Sequence, residues 1–188
     1  MPKPLPTDGV QLGAGDIVIL LCGDYDPAHL GYFRALEALS KKGATEVWVA
    51  PLCPRGQEDV VRDMCTMLAT EAFLATRKQV ACCLAALTLG FSRTGELLAW
   101  CRSKYPGMRF MVAKLHGSGL EDKADIVVGF AGQELSGKDD AHLPQFLPVP
   151  GDLAERIRSG FDESRNFLAP VWEYIQKNRL YRGPHVQV

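Results

Sequence analysis

The chain has 188 residues, 47% of them hydrophobic, 23% charged and 9% aromatic, which suits one globular domain with a sizeable core. Its formal net charge of -1 excludes both a basic field for nucleic acid and an acidic, disordered composition. Lys and Arg are scattered rather than gathered into a stripe, so no nucleic-acid partner is expected. No apolar run approaches the ~18 residues of a membrane span, and neither a signal-peptide nor a transit-peptide pattern opens the chain. A cytoplasmic protein is the expectation.

Residues 1–15 are rich in Pro and Gly and read as a flexible arm. The run 17–22 (IVILLC) is continuously apolar, as a central strand buried on both faces should be. Asp26-Pro27 then offers an N-cap and a Pro at the first helical position. Leu30, Phe33, Leu36 and Leu39 share a helical face, and Lys41-Lys42-Gly43 supplies a stop. A second strand is predicted over 46–50 (EVWVA), a helix over 58–76 and a third strand over 79–84.

Thr94 caps a further helix, 94–104, which ends at Tyr105-Pro106-Gly107. Strands are predicted at 109–113 and 125–128. The polar stretch 129–150 is too long for an ordinary connection and reads as a loop. Short helices follow over 152–159 and from 170 to 176. Strands alternating with helices along the whole chain predict a single α/β domain, doubly wound about a parallel sheet, over residues 16–182, with 183–188 as a tail.

The six cysteines (Cys22, Cys53, Cys65, Cys82, Cys83, Cys101) form no C-x-x-C pair and lie in apolar segments, as reduced core thiols do. Cys53, in a loop, is the best placed to be a reactive thiol. His29, His116, His142 and His185 lack metal-ligand spacing, so no metal site of the protein's own is expected.

Ligands of doubly wound sheets bind beyond the carboxyl ends of the strands. The first such turn here is Gly23-Asp24-Tyr25-Asp26-Pro27-Ala28-His29-Leu30-Gly31-Tyr32. Gly23 lets backbone approach a ligand, and a helix beginning near Pro27 offers N–H groups and a positive dipole to phosphate. His29 is placed to donate to the same anion, and Gly31 leaves room one turn above. A purely structural reading competes: Asp26 as an N-cap and His29 as cover for a helix end. A third is the Asp24-x-Asp26 pair, which resembles the nucleophile and acid of haloacid-dehalogenase-type phosphatases. That pattern expects Thr or Val where Ala28 stands, and an apolar strand before Asp139-Asp140.

The stretch 23–32 (GDYDPAHLGY) resembles the G-[ST]-F-[DN]-P-x-H-x-G-H signature of nucleotidylyltransferases. Further segments resemble the nicotinamide/nicotinate mononucleotide adenylyltransferases. They are 47–54 (VWVAPLCP), Arg62 with Ala69 and Cys65, Ser92-Arg93-Thr94 with Leu98 and Tyr105-Pro106-Gly107, and 168–181 (LAPVWEYIQKNRLY). The resemblance implies a Rossmann-like parallel sheet of five or six strands. It also implies joining of ATP to a nicotinamide or nicotinate mononucleotide, with release of pyrophosphate and use of Mg²⁺. His29 would be catalytic, with Gly23, Asp24, Tyr25, Asp26, Gly31 and Tyr32 around the nucleotide.

The departures from that family fall on charge. Tyr32 stands where a second imidazole is usual. Residues 148–154 (PVPGDLA) replace a hydroxyl-rich, Arg-containing helix start, and 113–115 (AKL) lacks a ribose-binding Asp. Arg158, Arg156 and Lys114 are the candidates to restore positive charge. Two functions follow: a divergent adenylyltransferase, or a member that has lost catalysis and serves as a nucleotide-binding or structural subunit of a larger complex.

Overall fold

A computed structural model describes residues 12–52, 80–83, 86, 89–118, 120, 123–130, 133–135, 137–138, 140–143 and 149–182. The expected arm up to residue 11, the 58–76 helix, Cys53 and the 183–188 tail lie outside these residues. So do Arg62, Cys65 and Ala69 of the family-like segments.

Strands β1 (Ile17–Gly23), β2 (Glu46–Pro51), β3 (Val80–Cys82), β4 (Arg109–Leu115), β5 (Ile126–Phe130) and β6 (Ala141–Leu143) form one sheet in the order β3-β2-β1-β4-β5-β6. Every neighbouring pair is parallel. The chain steps outward from β1 to β3 and then returns to the other side of β1 with β4. That reversal creates a crevice between the carboxyl ends of β1 and β4. Leu21 lies opposite Ala50's neighbour Val49 on one side and Ala113 on the other, so β1 is central in register as well as in order.

The apolar run of β1 serves two cores. Val18, Leu20 and Cys22 point into a cluster with Trp48, Leu97, Cys101 and Phe110. Ile19 and Leu21 point the other way, toward Phe33, Leu36, Leu39, Val128 and Ile175. Two-residue alternation therefore explains why no position in 18–22 is polar. Helix α1 (Leu30–Ser40) buries Phe33, Leu36 and Leu39 on one side of the sheet. Each fully buried apolar side chain of that kind contributes roughly 1.5–3 kcal/mol. Helix α2 (Thr94–Lys104) covers the opposite side with Leu97 and Cys101. Helices α3 (Leu153–Arg158) and α4 (Ala169–Lys177) add Leu153, Ile157, Val171 and Ile175 to the same core cluster as α1.

Three local expectations change. Helix α1 starts at Leu30 rather than near Pro27: the Asp26–Pro27 peptide is cis, and His29, not Asp26, is the N-cap. Arg93 rather than Thr94 caps α2, and Thr94 is its buried first residue. The stretch read as loop contains β6, held beside β5, with Asp140 Oδ1 accepting the Val127 N–H at 2.9 Å. Three residues are too few for a periodic signal, so pairing with β5 rather than propensity makes that strand. No helix among the described residues is long and apolar enough to cross a membrane.

Two kinds of buried polar group bear on the core. Glu46, fully buried at the start of β2, accepts the Trp48 indole N–H at 2.6 Å. Cys22, Cys83 and Cys101 are buried thiols without a disulfide, and a hydrogen bond with Cys83, together with burial, pushes the Cys101 thiol up.

Candidate nucleotide site

A cavity of about 170 Å³ lies in the crevice beyond β1 and β4. Among the described residues, four segments wall it. The β1–α1 turn contributes Asp24, Asp26, Pro27, His29 and Tyr32, and the end of β4 contributes Leu115, His116, Gly117 and Ser118. Phe130 and Gln133 come from the end of β5, and Val149, Pro150, Gly151 and Leu153 from the entry to α3. The sheet thus gathers onto one cavity residues that are more than 100 positions apart in the chain.

The turn is closed upon itself. Tyr32, 3% exposed, lays its ring along Gly23, where an added Cβ would stand 2.5 Å from ring carbon Cε1 and 2.8 Å from the hydroxyl. Its hydroxyl donates to Asp24 Oδ1 at 2.9 Å, and burial together with that carboxylate holds the phenol well above its ordinary pKa, so it remains a neutral donor. The ring stacks on Tyr25 at 4.0 Å and on His29 at 4.6 Å between centroids. Tyr25 is itself fully buried, its hydroxyl donating to Leu21 O at 2.8 Å. It takes no direct part in lining the cavity.

His29 lines the cavity and also caps α1. Its Nδ1 accepts the Gly31 N–H at 3.1 Å, the ordinary task of an N-cap. Burial lowers its pKa from 6.5 to about 4, so the imidazole is neutral at physiological pH. The room expected beside Gly31 is taken by His29 Cε1 and Nδ1, each 2.8 Å from a notional Cβ, with Phe130 Cζ at 3.1 Å. Asp24 Oδ1 also accepts the Asp26 N–H at 3.3 Å, and Asp26 Oδ1 accepts the Tyr181 hydroxyl at 2.6 Å.

The residues expected to supply positive charge lie elsewhere. Lys114 neighbours Leu115 in β4, and strand alternation sends the two to opposite faces. The Lys114 ammonium donates to Leu120 O at 3.0 Å instead of reaching the cavity. In α3 the inward positions are Leu153 and Ile157, one turn apart, which turns Arg158 toward solvent, where it pairs with Glu155. Arg156 is bound to the buried Glu163 at 2.6 Å and lies 5.0 Å over the Phe161 ring. Among the described residues no Lys or Arg lines the cavity.

Sequence reasoning missed His116, Ser118, Gln133 and Tyr181. Their signal was positional: the first three directly follow β4 and β5, whose ends face the crevice. Ser118 stands out, because its Oγ is buried without a hydrogen-bond partner among the described residues.

Magnesium fits this site only in a shared mode. No group of three or more metal-binding side chains exists among the described residues. Mg²⁺ is commonly held through one or two carboxylates plus substrate phosphates, and Asp24 and Asp26 would be those carboxylates.

An open parallel sheet reversing beside β1, with a cavity beyond its carboxyl ends, defines a doubly wound, Rossmann-like α/β protein. No protein-family model matches the chain, and no curated protein matches it in sequence. Solved structures do. A Vibrio parahaemolyticus protein assigned as a nicotinate-nucleotide adenylyltransferase superposes with a TM-score of 0.61 at 14% identity, covering 90% of this chain and 97% of its own. Plasmodium falciparum nicotinic acid mononucleotide adenylyltransferase matches in its complex with NaAD, with a TM-score of 0.63, 12% identity and coverage of 88% and 97%. The same Plasmodium enzyme in complex with APC gives 0.64 at 15% identity, again covering 88% and 97%. At these identities the likeness establishes the fold: an α/β parallel-sheet domain resembling the nicotinate-nucleotide adenylyltransferases.

Proposed function

We propose that this chain is a divergent nucleotidylyltransferase-type protein, built like a nicotinamide/nicotinate mononucleotide adenylyltransferase, that binds a nucleotide-class ligand and has lost adenylyl transfer. One observation carries the reading: the cavity presents two carboxylates, the neutral imidazole of His29 and the ring of His116, with no Lys or Arg from the described residues. Transfer between phosphates is accelerated by positioning and charge neutralisation, and loss of a single preorganised donor commonly costs about 2.7–4 kcal/mol. Here Tyr32, Pro150 and Val149 stand on the cavity wall where charge would be needed, while Arg158 and Lys114 face away.

The cavity still suits a ring with hydroxyls. Leu115, Phe130, Val149 and Leu153 provide apolar contact, and Ser118, His116 and Gln133 provide polar groups beside it. Retained scaffold and dispersed charge are what a nucleotide-binding or structural subunit of a larger complex requires.

A second reading, an active adenylyltransferase using ATP and Mg²⁺ to make an NAD-type dinucleotide, draws support from Asp24 and Asp26. A metal bound there would bring the missing positive charge. Isothermal titration with ATP·Mg²⁺ and with nicotinamide or nicotinate mononucleotide, with dinucleotide assayed in the same samples, separates the two. Binding of the mononucleotide without dinucleotide formation is expected. Turnover abolished by His29→Ala would establish the enzyme, and absence of all nucleoside and nucleotide binding would leave a scaffold protein.

A further inference from the structure

The β1–α1 turn has the ingredients of an anion site, a glycine and a helix N-terminus, yet it spends them internally. The Gly31 N–H is bonded to His29 Nδ1 at 3.1 Å, and the Tyr32 N–H to His29 O at 3.2 Å. The surface of Gly23, which would let a phosphate approach the backbone, carries the Tyr32 ring and hydroxyl. That ring is fixed from three directions: by stacking on Tyr25, by stacking on His29 and by its bond to Asp24.

We infer that Tyr32 is a built-in occupant of the phosphate end of the cavity, restricting the site to a nucleoside or nucleoside monophosphate and excluding polyphosphate. This deepens the nucleotide-binding reading above and rests on it.

Size and charge agree. The remaining volume is about 170 Å³, below the roughly 300–1,000 Å³ of sites that enclose drug-sized ligands. Asp24 and Asp26 also line the cavity, and their carboxylates repel the like charge of a polyphosphate. Magnesium would relieve the charge but not the ring. His116, Ser118 and Gln133 line the same cavity and bring polar groups that can meet ligand hydroxyls. A base and ribose supply both an apolar face and such hydroxyls.

The test is isothermal titration of the full chain with adenosine, AMP, ATP and inorganic tripolyphosphate, each with and without Mg²⁺. It compares the wild type with Tyr32→Ala, Tyr32→His and Tyr32→Phe, and thermal melts confirm that each variant is folded. The wild type should bind adenosine or AMP, and should bind ATP and tripolyphosphate at least about tenfold more weakly than Tyr32→Ala or Tyr32→His does. Tyr32→Phe, which keeps the ring and drops the Asp24 bond, should still exclude them. The smaller Tyr32→His serves if Tyr32→Ala does not fold. Wild-type protein binding ATP as tightly as the opened variants would overturn the inference and leave the nucleotide-binding reading standing. So would Tyr32→Phe behaving like Tyr32→Ala. No binding of any probe by any folded variant would overturn both.

Discussion

Tyr32 and Gly23 are a matched pair: the phenol lies where a side chain on residue 23 would be, with Cε1 2.5 Å from the position of a Cβ. The glycine that reads in sequence as an opening for a ligand is, in the folded chain, an opening for the protein's own tyrosine. The pair also joins the last residue of β1 to the first turn of α1, and so fixes the geometry of the cavity's floor.

Gly23→Ala should therefore destabilise the fold by about 1–3 kcal/mol, the usual range for overpacking a filled site. Urea unfolding of the single and double mutants checks this. In Tyr32→Ala the same Gly23→Ala change should cost much less, giving a coupling energy of at least ~0.5 kcal/mol. Additive effects would show that the two residues do not share the space.

Acid should weaken the fold through His29. Its folded pKa, about 4, lies below the ordinary 6.5, so the unfolded chain binds more protons between those values. The stability contribution is complete above pH 6.5 and is lost as pH falls toward 4. About 3 kcal/mol is its ceiling, and the measured loss should be smaller because the residue is only half-buried. His29→Asn keeps an N-capping acceptor without a titrating ring, so its stability curve should be flatter over this window. Denaturant midpoints measured at half-unit pH intervals would reveal an unchanged slope if another group were responsible.

Glu163 should matter more to stability than to binding. It is 1% exposed and accepts both the Arg156 Nε–H and the Asn166 amide, each at 2.6 Å. Glu163→Ala leaves both donors without that acceptor and should cost roughly 2–4 kcal/mol by chemical denaturation. Glu163→Gln, which keeps an acceptor, should cost less.

Arg158→Ala should change neither property measurably. The side chain is 52% exposed and, among the described residues, pairs with an exposed glutamate one turn earlier, a contact worth well under ~1 kcal/mol. Nucleotide affinity and unfolding free energy should both stay within ~0.5 kcal/mol of wild type. A tenfold fall in affinity would return Arg158 to the site.

Much of the site's neighbourhood was legible. The uninterrupted apolar run of β1 and the Leu30, Phe33, Leu36, Leu39 face of α1 placed the turn between them, because a buried strand and an amphipathic helix each repeat a local signal several times. The helix start was misplaced by three residues. Asp26-Pro27 has the chemistry of a cap, but His29 holds the Gly31 N–H. Strand β6 carried too few residues to register. Arg158 was one candidate to restore positive charge, yet the inward stripe of α3 is Leu153 and Ile157, a choice only packing reveals.

By itself, then, the sequence determined the alternation of strands and helices and the chemistry available at the first turn: glycines, two carboxylates, an imidazole and two phenols. Those properties are local, set by backbone sterics and by which faces must leave water. Only the tertiary structure decided how the turn is filled. Tyr32 over Gly23, Tyr181 reaching Asp26 across 155 positions, and Ser118 brought to the same cavity from β4 all depend on which side chains meet once the sheet is assembled. Space near a backbone is settled by whatever packs there at lowest free energy, and a pattern along the chain does not record that outcome.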